Sequence, residues 1–163
     1  MAILARIAND VQLMFRRPPR QQYAALCYRV KKKTGELEVL LLTSRDTGRW
    51  VIPKGWPMPG KLSHEVAARE AFEEAGVTGT ISDTPVGNFP YLKDRKDGSV
   101  IACSVDVFTL EVTGQKDNWM EKSEREQMWL PLDEAIAKLS EPGLRIILRD
   151  FAARRSAQRR HAS

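Results

Sequence analysis

Three glutamates, Glu70, Glu73 and Glu74, stand close together inside the segment 55–77, GWPMPGKLSHEVAAREAFEEAGV. In an α-helix residues three and four apart lie above one another, so this spacing predicts that the three carboxylates share one edge. Like charges at those spacings repel and weaken the helix unless a cation sits among them. Carboxylate oxygens are also what a hard divalent ion such as Mg2+ takes, while it keeps waters for a substrate phosphate. The alternative is a solvated acidic face, and the residues around the three glutamates decide between the two.

A helix and a sheet beneath it must position these side chains. The helix is predicted over 62–75, with Ser63 placed to cap its start and Gly76 to end it. Ahead of it, 22–30 (QYAALCYRV) is a strand candidate, and Lys31, Lys32, Lys33, Thr34 and Gly35 form a polar turn, read as a hairpin tip before a phosphate-binding patch. The continuous apolar run in 38–43 suggests a central, buried strand, and 50–53 is a short one leading into the acidic segment. Behind the helix, 78–81 and 85–91 read as short strands, and 100–112 is the longest strand signal. Residues 126–132 lead into a helix ending near Ser140; Pro142-Gly143 breaks it, and 144–160 forms a final amphipathic helix. Pro18-Pro19 sets off a basic leader, 1–20, expected to be helical, from a domain over 21–152. A basic tail, 153–163, continues the last helix.

The 163 residues fit one domain, with 42% hydrophobic and 29% charged residues and no apolar run near the length of a membrane span. A net charge of +5 fits an anionic partner, but much of the excess lies at the ends, at Arg16, Arg17, Arg20, Arg154, Arg155, Arg159 and Arg160. Basic tails more often aid solubility or weak nonspecific binding, so nucleic acid is a possible partner and not the favoured one. Asp10 and a leader without serine count against a transit peptide. Cys27 and Cys103 lie in apolar stretches without zinc-ligand spacing and read as buried thiols, which suits a reducing, cytoplasmic setting. His64 and His161 are isolated and read as surface residues with no metal role.

Gly55, Arg69, Glu70, Glu73, Glu74, Gly76 and Val77, with the small apolar Ala71, stand in the register of the Nudix box, G-x5-E-x7-R-E-U-x-E-E-x-G-U, which the segment resembles. One position departs: the first glutamate of the pattern falls on Lys61. The resemblance implies an α/β fold, an alpha/beta/alpha sandwich with a mixed central sheet. It implies Glu70, Glu73 and Glu74 as ligands of Mg2+, with Mn2+ as a substitute, and Arg69 orienting the glutamates through a bidentate ion pair. A further carboxylate comes in this family from a loop ahead of a segment like 129–135; Glu121, Glu124 and Glu126 are available, with Glu124 and Glu126 ranked first as base or extra ligand.

The segments AALCYR (24–29), LLLTSRDTGRWVIPKG (40–55) and MWLPLDEA (128–135) are similar to the diphosphoinositol polyphosphate phosphohydrolase group and to the related diadenosine polyphosphate hydrolases. Arg45, Arg49, Lys54 and Gly55 are the substrate-side candidates, since cations there would face phosphates. Trp50 reads as core, and Trp56 as a cover for the site or a packing residue beneath the loop. The basic residues ahead of the first strand in the inositol-phosphate group fall here on Arg20, Gln21 and Gln22, which weakens the case for a substrate with many phosphates. The expectation is a metal-dependent pyrophosphohydrolase of dinucleoside polyphosphates or diphosphoinositol polyphosphates. The alternatives are removal of the 5' pyrophosphate of RNA, or a Nudix-fold nucleotide sensor without catalysis, for which Lys61 is the one supporting feature.

Overall fold

The computed structural model describes residues 2–162. An N-terminal helix, α1 (Ala2–Arg16), precedes the strands β1 (Arg20–Val30), β2 (Leu37–Thr43), β3 (Trp50–Val51) and β4 (Lys54–Gly55). Helix α2 (Ser63–Ala75) follows, then β5 (Val77–Ile81), β6 (Gly87–Asp94), β7 (Val100–Gln115), β8 (Gln127–Pro131), α3 (Leu132–Lys138) and α4 (Pro142–Ala162). The eight strands form one mixed sheet: β1 pairs parallel with β7 and antiparallel with β2 and β4. The fold is therefore the α/β sandwich that the resemblance implied.

Strand β1 is the spine because its middle is apolar on both faces. Ala24, Leu26 and Tyr28 point into one core with Val39, Leu41, Val105 and Val107, closed over by Leu144, Ile147, Leu148 and Phe151 of α4. Ala25 and Cys27 point the other way, beside Leu40, Leu42, Phe108 and Leu110, against Ala67, Ala71 and Ala75 of α2. Alanines on the buried face let α2 lie close on the sheet, so the glutamates on the adjoining edge of the helix are carried at a fixed height. Both cysteines are buried free thiols, and burial raises the pKa of each.

Several local expectations shift. Ser63 is the first helical residue rather than the cap; Leu62 caps α2 in extended backbone without a side-chain bond, its carbonyl accepting from Val66. Gly76 does end the helix, at φ 70°, with its N–H on Phe72 O. Pro142 opens α4 instead of separating two helices, since a proline at a helix start gives up only an N–H that would be unpaired there. Of the strand expected over 50–53 only Trp50–Val51 forms, paired with β2; a separate two-residue piece, Lys54–Gly55, follows it and pairs with β1. The lysine turn is a hairpin tip, and Arg159 of α4 donates to Gly35 O there. His64 is half-buried, its ring 6.2 Å from that of Phe108.

Candidate active site

The pairing Tyr23↔Gly55 and Ala24↔Lys54 brings the start of the acidic segment to the central strand, where α2 crosses above it. Glu70 occupies the space that Gly55 leaves: a Cβ on residue 55 would stand 2.2 Å from Glu70 Oε1, so only glycine admits the carboxylate. Glu70, Glu73 and Glu74 line an open cleft of about 520 Å³ together with Gln22, Ser44, Arg45, Lys54, Trp56, Lys93, Glu121, Glu124 and Arg125, among others. Arg45, Lys54 and Gly55, named from the sequence, are in the cleft, as is Glu124. Arg49 lines the groove next door, with Trp50, Phe89 and Tyr91. Glu126 lines neither: it is exposed, and its main chain is tied to Thr43 by Glu126 N to Thr43 Oγ1 at 2.9 Å and Thr43 N to Glu126 O at 3.0 Å.

The cation among the carboxylates is Arg125, which the sequence reading passed over. Its side chain is 9% exposed; Nη2 reaches Glu74 Oε1 and Glu121 Oε1, each at 3.3 Å, and Nη1 donates to Thr43 O at 3.1 Å. Glu121, ranked behind its neighbours from the sequence, is the buried one, and Arg45 Nη1 lies 3.1 Å from its Oε1 and 3.5 Å from Glu124 Oε2. The available signal was the need for a positive charge near three packed glutamates, which the sequence left without an address. Arg69 does less than expected: its Nε makes one bond, to Glu73 Oε1 at 2.8 Å.

Burial and the neighbouring carboxylates push Glu70 up to about 7. Burial likewise pushes Glu74 up to about 8, against the lowering pull of Arg125 and Lys54. Loss of hydration lowers the Lys54 ammonium, which lies 5.2 Å over the Tyr91 ring and opposite Glu74. Among the described residues no three acidic or imidazole side chains converge closely enough to hold an ion as they stand, with Glu73 turned to Arg69 and Glu74 to Arg125. The donor set nonetheless suits a divalent ion: hard oxygen ligands, crowded until protonation competes, whose excess negative charge such an ion relieves.

The pattern of the NUDIX domain matches residues 20–151. The chain belongs to the NUDIX family. Nudix hydrolase 21, chloroplastic, of Arabidopsis thaliana is 32% identical over 158 residues, covering 95% of this chain and 77% of that one. Diphosphoinositol polyphosphate phosphohydrolase 3-beta of Bos taurus is 34% identical over 123 residues, covering 74% and 69%. A C. elegans Ap4A hydrolase in a binary complex superposes with a TM-score of 0.63 at 25% identity, over 85% of this chain and 98% of that one. Two further Arabidopsis thaliana relatives are about twice as long as the part matched, which is 51% and 52% of their length. As a Nudix hydrolase the chain is an enzyme of phosphoanhydride bonds, a class that works with divalent metal ions. Among the described residues no helix is long and apolar enough to cross a membrane.

Proposed function

We propose that this Nudix hydrolase cleaves a phosphoanhydride bond of a dinucleoside polyphosphate, in preference to a diphosphoinositol polyphosphate. The observation that carries the choice is the charge pairing in the cleft. Arg45 is paired with Glu121 and Glu124, Lys93 with Asp46, and Arg125 with Glu74 and Glu121. Of the cations lining the cleft, Lys54 alone makes no ion pair among the described residues. A substrate crowded with phosphates needs many uncommitted cations; a short phosphate chain between two flat bases does not. The groove beside the cleft, with Trp50, Phe89 and Tyr91, offers apolar surface next to Lys54.

Glu70, Glu73 and Glu74 would hold the metal, Mg2+ or in its place Mn2+. When bound it would neutralise phosphate oxygens and lower the pKa of a water. The chain's own side chains do the rest. Lys54, without an ion pair among the described residues, faces the phosphates and orients them, with Arg45 beside it in the cleft on its carboxylate partners. Glu124, at the exposed rim and paired at 3.5 Å with Arg45, can take the proton of the attacking water, while buried Glu121 keeps Arg45 and Arg125 in place. Arg69 steadies Glu73. Lys61 does not argue for a noncatalytic sensor, because it is exposed on a separate groove with Glu65, Arg69 and Phe72 and leaves the cleft untouched. Buried free thiols support a reducing, cytoplasmic setting. Residues 21–152 would suffice for the chemistry, with the helical leader and the basic tail as appendages.

The test is metal-dependent turnover on diadenosine polyphosphates, a diphosphoinositol polyphosphate, nucleotide sugars and 5'-triphosphorylated RNA, with Glu73→Gln as the blank. A diadenosine polyphosphate should lead, and the blank should fall on the order of 10³-fold or more. Preference for the inositol compound or for RNA would replace the substrate; equal turnover in the blank would remove the metal ligands.

A further inference from the structure

The C-terminal end of α2, the helix that carries the acidic side chains, is covered by a single stretch of chain. Helices leave their last carbonyls without partners inside the helix, and at a surface these go to water. Here Glu73 O accepts from Glu121 N–H at 3.1 Å and Gly76 O from Lys116 N–H at 2.9 Å. Between them, Glu74 O accepts from the Trp119 indole N–H at 3.2 Å and Ala75 O from Gln115 Nε2 at 3.0 Å. Four consecutive carbonyls are thus taken by residues 115–121, which leave β7 and head for the cleft.

Trp119 is the residue in this stretch that is fitted to its place. Its six-membered ring lies over Gly76, where a Cβ would stand 2.4 Å from Trp119 Cε3. Lys122 lies over the same indole at 5.1 Å. Just beyond it the chain delivers Glu121, Glu124 and Arg125 into the cleft. Glu74 is consequently held at two points by one loop, its carbonyl by Trp119 and its carboxylate by Arg125. Two attachments to one residue fix the rotation and the height of the loop relative to the helix, which one attachment would leave free.

We propose that Trp119 is a positioning residue for the hydrolysis: hydrogen-bonded to Glu74 O and seated on Gly76, it holds the loop bearing Glu121, Glu124 and Arg125 in register with the carboxylates of α2. This rests on the functional reading above, in which those carboxylates surround the reacting phosphates. Misplacement of about 1 Å by a change away from the reacting atoms is enough to lower a rate by up to about 10²-fold.

Trp119→Phe keeps a ring over Gly76 and removes the N–H. Gln115→Ala removes a neighbouring cap of the same helix end that does not attach the cleft-lining part of the loop, and so serves as the control. For both, kcat, KM and the melting temperature are measured, together with amide hydrogen exchange at Glu121 and Mn2+ binding by the substrate-free protein followed by electron paramagnetic resonance. The expected result for Trp119→Phe is a kcat lower by roughly 10-fold or more with KM within about 2-fold. Exchange at Glu121 should speed up and Mn2+ binding weaken, while Gln115→Ala changes the melting temperature comparably and keeps its kcat. Unchanged kcat and exchange in Trp119→Phe would overturn the proposal, and so would equal kcat losses in the two variants. No turnover in the unsubstituted chain is a separate failure, that of the hydrolytic reading, and would take the positioning role with it.

Discussion

The two sides of the cleft are built by opposite means. On the α2 side, Glu70, Glu73 and Glu74 come from a single helical turn whose spacing sets their relation to one another, and the packing of Ala67, Ala71 and Ala75 on the sheet sets their height. On the facing side, Arg45 comes from the connection between β2 and β3, Lys54 from β4, and Glu121, Glu124 and Arg125 from the loop after β7. They are brought together by bonds such as Arg125 to Thr43 O, across 82 positions of sequence. The carboxylate side is specified locally and resists displacement as a unit. The cationic side is specified by register and loop anchoring, so single changes there should alter binding before they alter the fold.

The sharpest way to break this contrast is Gly55→Ala, which attacks a place where a carboxylate of the helix depends on a distant segment. A methyl group 2.2 Å from Glu70 Oε1 must displace that side chain, and a loss of about 10²-fold in kcat is expected in steady-state assays. Full activity in Gly55→Ala would mean that Glu70 is dispensable. On the facing side, Lys54→Met should raise KM by about 10-fold and change kcat less, because the ammonium binds the phosphates in ground state and transition state alike. A fall in kcat at unchanged KM would give Lys54 a role in the reaction itself.

The third prediction separates the sides by pH. Glu70 and Glu74 are raised from 4.5 to about 7 and about 8, so between those limits the folded protein holds more protons than the unfolded chain. Stability of the metal-free protein contributed by these groups is accordingly present at low pH and lost as pH rises through that window. Thermal melts from pH 5 to pH 8 should show a falling melting temperature without metal and a smaller fall or a rise with Mg2+, which needs the ionised carboxylates. A pH-independent metal effect would contradict the crowding of charge at Glu70 and Glu74. The smallest effect is expected for Lys61→Glu, under about 3-fold in kcat/KM, since the residue faces a groove apart from the cleft.

What was legible in the sequence follows the same division. The helix, its end at Gly76, most of the strands along the chain and the closeness of the three glutamates were readable because each depends on residue types at short, fixed spacing. The start at Ser63 and the role of Pro142 were misread because both are decided by which backbone groups find partners at a helix end. Glu124 and Glu126 looked equivalent as neighbours in one acidic loop; the ladder with Thr43 turns one out of the cleft and leaves the other at its rim.

The sequence by itself put three carboxylates on one helix edge, since periodicity and a fixed spacing of charged residues and glycines are properties of the chain alone, and the family and the mixed sandwich followed from the resemblance that this spacing carries. Only the tertiary structure decided that Arg125 is their cation, that Glu121 is the buried partner and that Trp119 ties the loop to the helix. Those contacts join residues far apart in the chain, and their existence depends on strand register, burial and the filling of the space over Gly76, none of which is a local property.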